Sequence, residues 1–162
     1  MRIAVISDTH MPRGARRLPE ACVQRLRAAD LILHAGDLMR MAVLHELETY
    51  GPVVAVHGNV DDREVMVALP QVASVQAAGA TIAIMHDAKP AKKRLTRIRR
   101  RFPDADAVVF GHSHLPLHER APDGFQIFNP GSPTERRRAP RHTMGLATVS
   151  AGRVAFELIV VG

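Results

Sequence analysis

Three observations predict an α/β protein. Apolar stretches of strand length alternate with helix-length segments over the first sixty residues. From Val72 onward strands and turns dominate. The early strands also end in small residues followed by potential ligands, as at the carboxyl edge of a largely parallel sheet, where active groups gather.

The first strand is Ile3 to Ile6, a β-branched apolar run suited to burial on both faces. It ends in Ser7-Asp8-Thr9-His10, and at an extended strand end residues i and i+2 project the same way, so Asp8 and His10 converge. Arg16 to Ala29 reads as an amphipathic helix, Leu31 to Leu33 as a second strand closed by His34-Ala35-Gly36-Asp37, and Leu38 to Tyr50 as a helix. Asp37 suits the N-cap of that helix, a role compatible with ligation. After Gly51-Pro52, Val53 to Val56 is a third strand, closed by His57-Gly58-Asn59-Val60-Asp61-Asp62.

Val72 to Ala77 and Thr81 to Met85 read as a hairpin turning at Gly79 and leading into His86-Asp87. Lys92 to Phe102 has the spacing of a helix with Leu95, Ile98 and Phe102 inward and a dense basic face outward. Ala107 to Phe110 is a strand ended by Gly111-His112-Ser113-His114. Further strands are expected at Leu115 to Glu119, Phe125 to Phe128, Thr143 to Ser150 and Val154 to Val161, with turns at Asp123-Gly124 and Ala151-Gly152. The basic run reaching Arg141 has no periodicity and is expected on the surface.

A chain of 162 residues suits a single domain spanning 1–162. No apolar run has the length of a bilayer, and the first strand turns polar at Ser7 without a signal-peptide pattern, so a cytoplasmic location without membrane contact is expected. The lone Cys22 excludes an intramolecular disulfide and, with Leu18 and Leu26 at four-residue spacing, reads as a core thiol. The net charge of +6 favours an anionic partner. With no Trp, one Tyr and no aromatic residues between the cations, the basic helix from Lys89 to Arg101 lacks a stacking platform, so nucleic acid is possible but not favoured.

The strand ends together supply Asp8, His10, Asp37, Asn59, His86, His112 and His114. Two carboxylates, an amide and four imidazoles suit Mn, Fe, Zn, Ni or Co, and suit Ca or Mg poorly. Seven ligands exceed what one catalytic ion takes while keeping an open position, and match two ions sharing a carboxylate. His34, His45, His57, His118 and His142 are expected in structural or solvent-facing roles, with His34 and His57 near enough in sequence to line the mouth of the site.

In this order the residues resemble the calcineurin-like metallophosphoesterases, and among them the small bacterial and archaeal phosphodiesterases. The pattern Asp-x-His, Gly-Asp, Gly-Asn, His and Gly-His-x-His is met by Asp8 and His10, Gly36-Asp37, Gly58-Asn59, His86 and Gly111-His112-Ser113-His114, and the Asn129-Pro130-Gly131-Ser132 loop is similar to that of small members. The resemblance implies a metallophosphoesterase-like αββα sandwich, two mixed sheets face to face with helices outside. It implies one metal on Asp8, His10 and His114, the other on Asn59, His86 and His112, and Asp37 bridging. Two divalent ions, manganese first among the candidates, would then present a bridging hydroxide to phosphorus in a small or activated phosphodiester, with Asp37, Asn59 and His112 as the subset expected to be catalytic. A homo-oligomer is compatible with the resemblance, although no stretch fixes an interface.

Two departures matter. Many relatives carry a His directly after Gly-Asn, and here Val60 stands there, leaving the leaving-group acid unassigned. Asp87 replaces a common Gly and is a candidate for orienting His86. The alternatives are a non-catalytic metal-binding scaffold, as in the eukaryotic retromer subunit of this fold, and a phosphoprotein or phosphomonoester phosphatase. The missing His and short loops, which leave little room for a recognition groove, weigh against the phosphatase.

Overall fold

The apolar runs pair into two five-stranded sheets in the computed structural model, which describes residues 1–162. The first contains β1 (Arg2–Ile6), β2 (Leu31–His34), β3 (Val53–Ala55), β9 (Thr143–Ser150) and β10 (Arg153–Val160), ordered β10-β9-β1-β2-β3. β1, β2 and β3 are parallel, with Ile3 beside Leu31 and Ile32 beside Val53, whereas β9 joins β1 antiparallel. The second contains β4 (Val72–Ala77), β5 (Ala80–Met85), β6 (Ala107–Val109), β7 (Leu117–Arg120) and β8 (Gln126–Asn129), ordered β4-β5-β6-β8-β7. Both sheets are therefore mixed.

Alternation along the strands decides what each face meets. Ile3 and Val5 of β1 face Ile82 and Ile84 of β5, Val109 and Phe128 in the core between the sheets. Ala4 and Ile6 point the other way, into a core closed by α1 (Glu20–Arg27), α2 (Met41–Glu48) and α3 (Arg63–Ala68). Ala83, Met85 and Val108 meet α4 (Arg94–Arg101) through the buried Ile98. The result is a helix, sheet, sheet, helix sandwich. Cys22 is buried among the α1 contacts, and burial raises its thiol to about 12. No helix is long and apolar enough to cross a membrane.

Several expected helix starts shift inward, for local reasons. The helix expected from Arg16 begins only at Glu20 because Pro19, which suits a helix start, stands before it; Arg13–Ala15 forms a 3-10 turn instead. The helix expected from Leu38 begins at Met41, since Asp37 (φ 61°) and Met39 (φ 86°) are left-handed. Asp37 therefore does not cap α2. The basic helix starts at Arg94 because Lys93 is left-handed. The unforeseen α3 is a six-residue helix whose N-cap, Asp62, accepts the Val65 N–H at 3.0 Å.

Candidate metal centre

The loops leaving β1, β2, β3, β5 and β6 meet at one edge of the sandwich. The Asp8 N–H donates to the Gly36 carbonyl and the His10 N–H to the Asp37 carbonyl, both at 3.0 Å, which locks the first two loops together. The Gly111 N–H donates to the His86 carbonyl at 2.9 Å and joins the last two. Asp8, His10, Asp37, His112 and His114 all have positive φ, between 45° and 68°. Convergence of Asp8 and His10 thus comes from left-handed turns after the strand rather than from strand alternation. Such a conformation costs a non-glycine residue roughly 1–2 kcal/mol, and its concentration here marks a site that the surroundings hold in place.

Six of the seven expected ligands form two compact groups, Asp8 with His10 and His114, and Asp37 with His86 and His112. Asp8 Oδ1 lies 3.3 Å from His114 Nε2 and 3.9 Å from His10 Nε2. Asp37 Oδ2 lies 3.2 Å from His86 Nε2 and 3.5 Å from His10 Nε2, so one oxygen stands between the groups. Asn59 joins the second: its Oδ1 is 3.1 Å from His86 Nε2 and 3.0 Å from His112 Nδ1.

Each imidazole is turned by its other nitrogen. His86 Nδ1–H donates to the Ala35 carbonyl at 2.8 Å, and His114 Nδ1–H donates to the Glu135 carbonyl, so both present Nε2 to the centre. His10 Nδ1 faces Glu135 Oε2 at 3.3 Å, and Arg16 holds the other Glu135 oxygen at 2.9 Å. Burial alone opposes a charge on Asp37, but the hydrogen bond and charge of His86, with the Val60 N–H and His10, hold its carboxyl at about 2. Burial likewise opposes protonation of His86, yet Asp37 and Asp8 bring it up to about 8. His114 is pushed down, mainly by burial.

The donor set fits metal ions. His10 Nε2 and His114 Nε2 are buried without a hydrogen-bond partner although each points at a carboxylate, an arrangement that costs stability unless a cation completes it. The glycines before the ligands keep this space open. A Cβ on Gly58 would overlap Asp37 Oδ1, and one on Gly111 would overlap Ser7 Oγ and crowd Asp8.

Asp61 and Glu135, which no sequence motif marks, support the two groups. The buried Asp61 carboxylate accepts the backbone N–H groups of Asp37 (3.0 Å), Met39 (2.5 Å) and Gly58 (2.6 Å), clipping two ligand loops together. Its only signal is position, two residues after Asn59. Glu135 sits at the start of a run that reads as solvated charge, and nothing local marks it as inward-facing. The Asn129–Ser132 loop braces the same region: Asn129 Nδ2 donates to the Gly111 carbonyl and Ser132 Oγ to the Asp8 carbonyl, both at 2.8 Å.

Asp87 does not orient His86; it accepts the Lys89 N–H and ammonium, at 2.7 and 3.0 Å. His34 does not line the mouth. It is fully buried, accepts the Gly36 N–H at Nδ1 and meets Thr9 Oγ1 at Nε2, and burial lowers it to about 4. His57 does reach a groove of about 620 Å³ beside Asn59, His86 and His112, so the short loops leave more room than expected.

A family model, the calcineurin-like phosphoesterase superfamily domain, matches residues 1–152, and the chain belongs to that family. A protein of Methanothermobacter thermautotrophicus described as a probable metallophosphoesterase is 34% identical over 164 residues, covering 100% of this chain and 94% of that one. Another so described, from Methanocaldococcus jannaschii, is 33% identical over 150 residues, covering 91% and 76%. Among solved structures, wild-type Vps29 of Entamoeba histolytica complexed with zinc superposes with a TM-score of 0.78 at 22% identity, each chain covered in full. That likeness is one of fold. Family membership and the two His/Asp groups together support a metal-dependent phosphoesterase.

Proposed function

We propose that the protein is a two-metal phosphodiesterase acting on small or activated phosphodiesters. The observation that carries this reading is the placement of Asp37 Oδ2 within 3.5 Å of a histidine from each group. Asp8, His10 and His114 would hold one ion, Asn59, His86 and His112 the other, with Asp37 shared. Two divalent cations held there would supply Lewis acidity toward the phosphate oxygens and lower the pKa of a bound water toward neutrality. Manganese is the first candidate, and the zinc in the Entamoeba Vps29 structure supports a transition metal in this fold.

The chain's own part is positioning. Ala35 and Glu135 fix which imidazole nitrogen faces the centre. Asn59 and His112 are exposed and mark the side from which substrate arrives. Beside them Val60 contributes only hydrocarbon, so no side chain at that position protonates the leaving group, and diesters with acidic leaving groups are favoured. Manganese-loaded protein is expected to release nitrophenolate from bis(p-nitrophenyl) phosphate, with Asp37→Ala reducing the rate to background; equal rates for the two proteins would refute the assignment.

A non-catalytic assembly role is the second reading. It is supported by exposed apolar residues: Val60 after Asn59, Leu115 after His114, Met66, which lines the groove, and the 80% exposed Val67 on α3. The same assay separates the two, since a scaffold leaves the diester intact.

A further inference from the structure

The groove beside the ligands belongs to one metal group only. Asn59, His86 and His112 line it, and Asp8, His10 and His114 do not. A phosphate held at the Asn59 group therefore has this groove available for its ester substituent, and about 620 Å³ is the size of pocket that takes a nucleotide-sized ligand. One wall is apolar: Val72 and Met85 are cross-strand partners at the end of the β4-β5 hairpin, beside His86, and Met66 joins them from α3.

The charge in the groove is unbalanced. Asp87 and Lys89 pair at 3.0 Å and cancel. Arg101, the last residue of α4, lines the same groove, is exposed and has no carboxylate or carbonyl partner; its guanidinium lies 5.3 Å from the centre of the Phe102 ring. Of the other α4 arginines, Arg97 is held by the Lys92 and Pro90 carbonyls and Arg99 by Asp123; Arg100 is also exposed and unpartnered but does not line the groove. An unpaired guanidinium in a groove that starts at a phosphate-binding centre suits a second phosphate, which it can hold in a bidentate, charge-assisted way.

We infer that Arg101 is a specificity residue, and that the groove takes phosphodiesters whose ester group is nucleotide-like and bears a second phosphate, the Met66, Val72 and Met85 wall covering the intervening organic part. This inference rests on the phosphodiesterase reading for its substrate and on the groove alone for its charge preference, so binding and turnover are measured separately.

Calorimetry in the presence of manganese would compare thymidine 5′-phosphate with thymidine 3′,5′-bisphosphate. The bisphosphate is expected to bind about tenfold more tightly to the native protein, as one charged hydrogen-bonded contact provides. Arg101→Gln should erase that advantage and Arg101→Lys should keep part of it. Equal binding by the native protein, or an advantage that survives Arg101→Gln, would overturn the inference. Turnover of bis(p-nitrophenyl) phosphate by the native protein is measured alongside and tests the phosphodiesterase reading by itself. If that diester is not cleaved while the binding preference holds, the phosphodiesterase reading falls and the anion-reading groove stands.

Discussion

The two ligand groups are built to different standards of enclosure. Asp8, His10 and His114 are all buried, and the Asn129–Glu135 stretch closes over them, Ser132 on the Asp8 carbonyl and Glu135 on both histidines. In the other group only His86 and the shared Asp37 are buried, while Asn59 and His112 are exposed at the edge of a groove. The buried group has its ligand nitrogens unpaired, whereas in the open group Asn59, His86 and His112 already contact one another. Under the proposed function the difference corresponds to two tasks: one group would anchor an ion, and the other would stay accessible to substrate.

The largest effect comes from removing what the groups share. Asp37→Ala takes away the oxygen between them, and phosphodiester turnover should fall to background. Metal analysis of the same sample should show both ions affected; retention of two would contradict the shared role. Gly58→Ala attacks the same carboxylate from behind. The added methyl overlaps Asp37 Oδ1, so the variant should lose about 1–3 kcal/mol of stability in urea unfolding together with most of its metal.

A substitution confined to one side sharpens the contrast. Glu135→Gln leaves the backbone carbonyl to His114 but weakens the carboxylate behind His10, and should lower the affinity of the buried group alone by about 10–100-fold in metal titration. An equal loss in both groups would mean that Glu135 supports the fold rather than one ligand set.

Proton linkage gives the smallest effect and also differs between the groups. His86 is raised from 6.5 to about 8, so in the metal-free protein its contribution to stability is complete below pH 6.5 and is lost as pH rises through about 8. Asp37 is lowered from 3.8 to about 2, so its contribution is present above 3.8 and is lost as pH falls through about 2. Thermal unfolding of the metal-free protein should therefore show its midpoint declining between pH 6.5 and 8. A metal entering the open group must displace the His86 proton, so its affinity should rise about tenfold per pH unit below 8. His114, pushed below its ordinary value by burial, loses its proton at lower pH than His86, and metal binding at His114 should show a shallower dependence near neutrality.

What could be read from the chain, and what could not, follows the range of the forces involved. Strands such as Ile3–Ile6 and Ala107–Phe110 are visible because burial on both faces demands uninterrupted apolar residues. The αββα arrangement follows from the ordered ligand motifs through resemblance, since no local pattern specifies which sheet covers which. Helix starts drift where a single residue overrides periodicity, as Pro19 does for α1 and the left-handed Met39 does before α2. The six-residue α3 offers fewer than two turns of periodicity, and its cap, Asp62, lies in a stretch already accounted for as ligand loop.

All seven side chains picked from strand ends arrive at one edge, yet their supports were not legible. Asp61 acts through backbone N–H groups, and Glu135 reaches His10 across 125 positions of chain, so neither leaves a local pattern. Asp87 misleads for the opposite reason: adjacency to His86 suggests a partnership that its turn with Lys89 forecloses.

The decisive experiment is a crystal of the manganese-soaked protein, with anomalous scattering collected at the manganese edge. Two peaks about 3.5–4 Å apart on either side of Asp37 are expected, one among Asp8, His10 and His114 and the other among Asn59, His86 and His112. A single peak, or peaks away from Asp37, would contradict it.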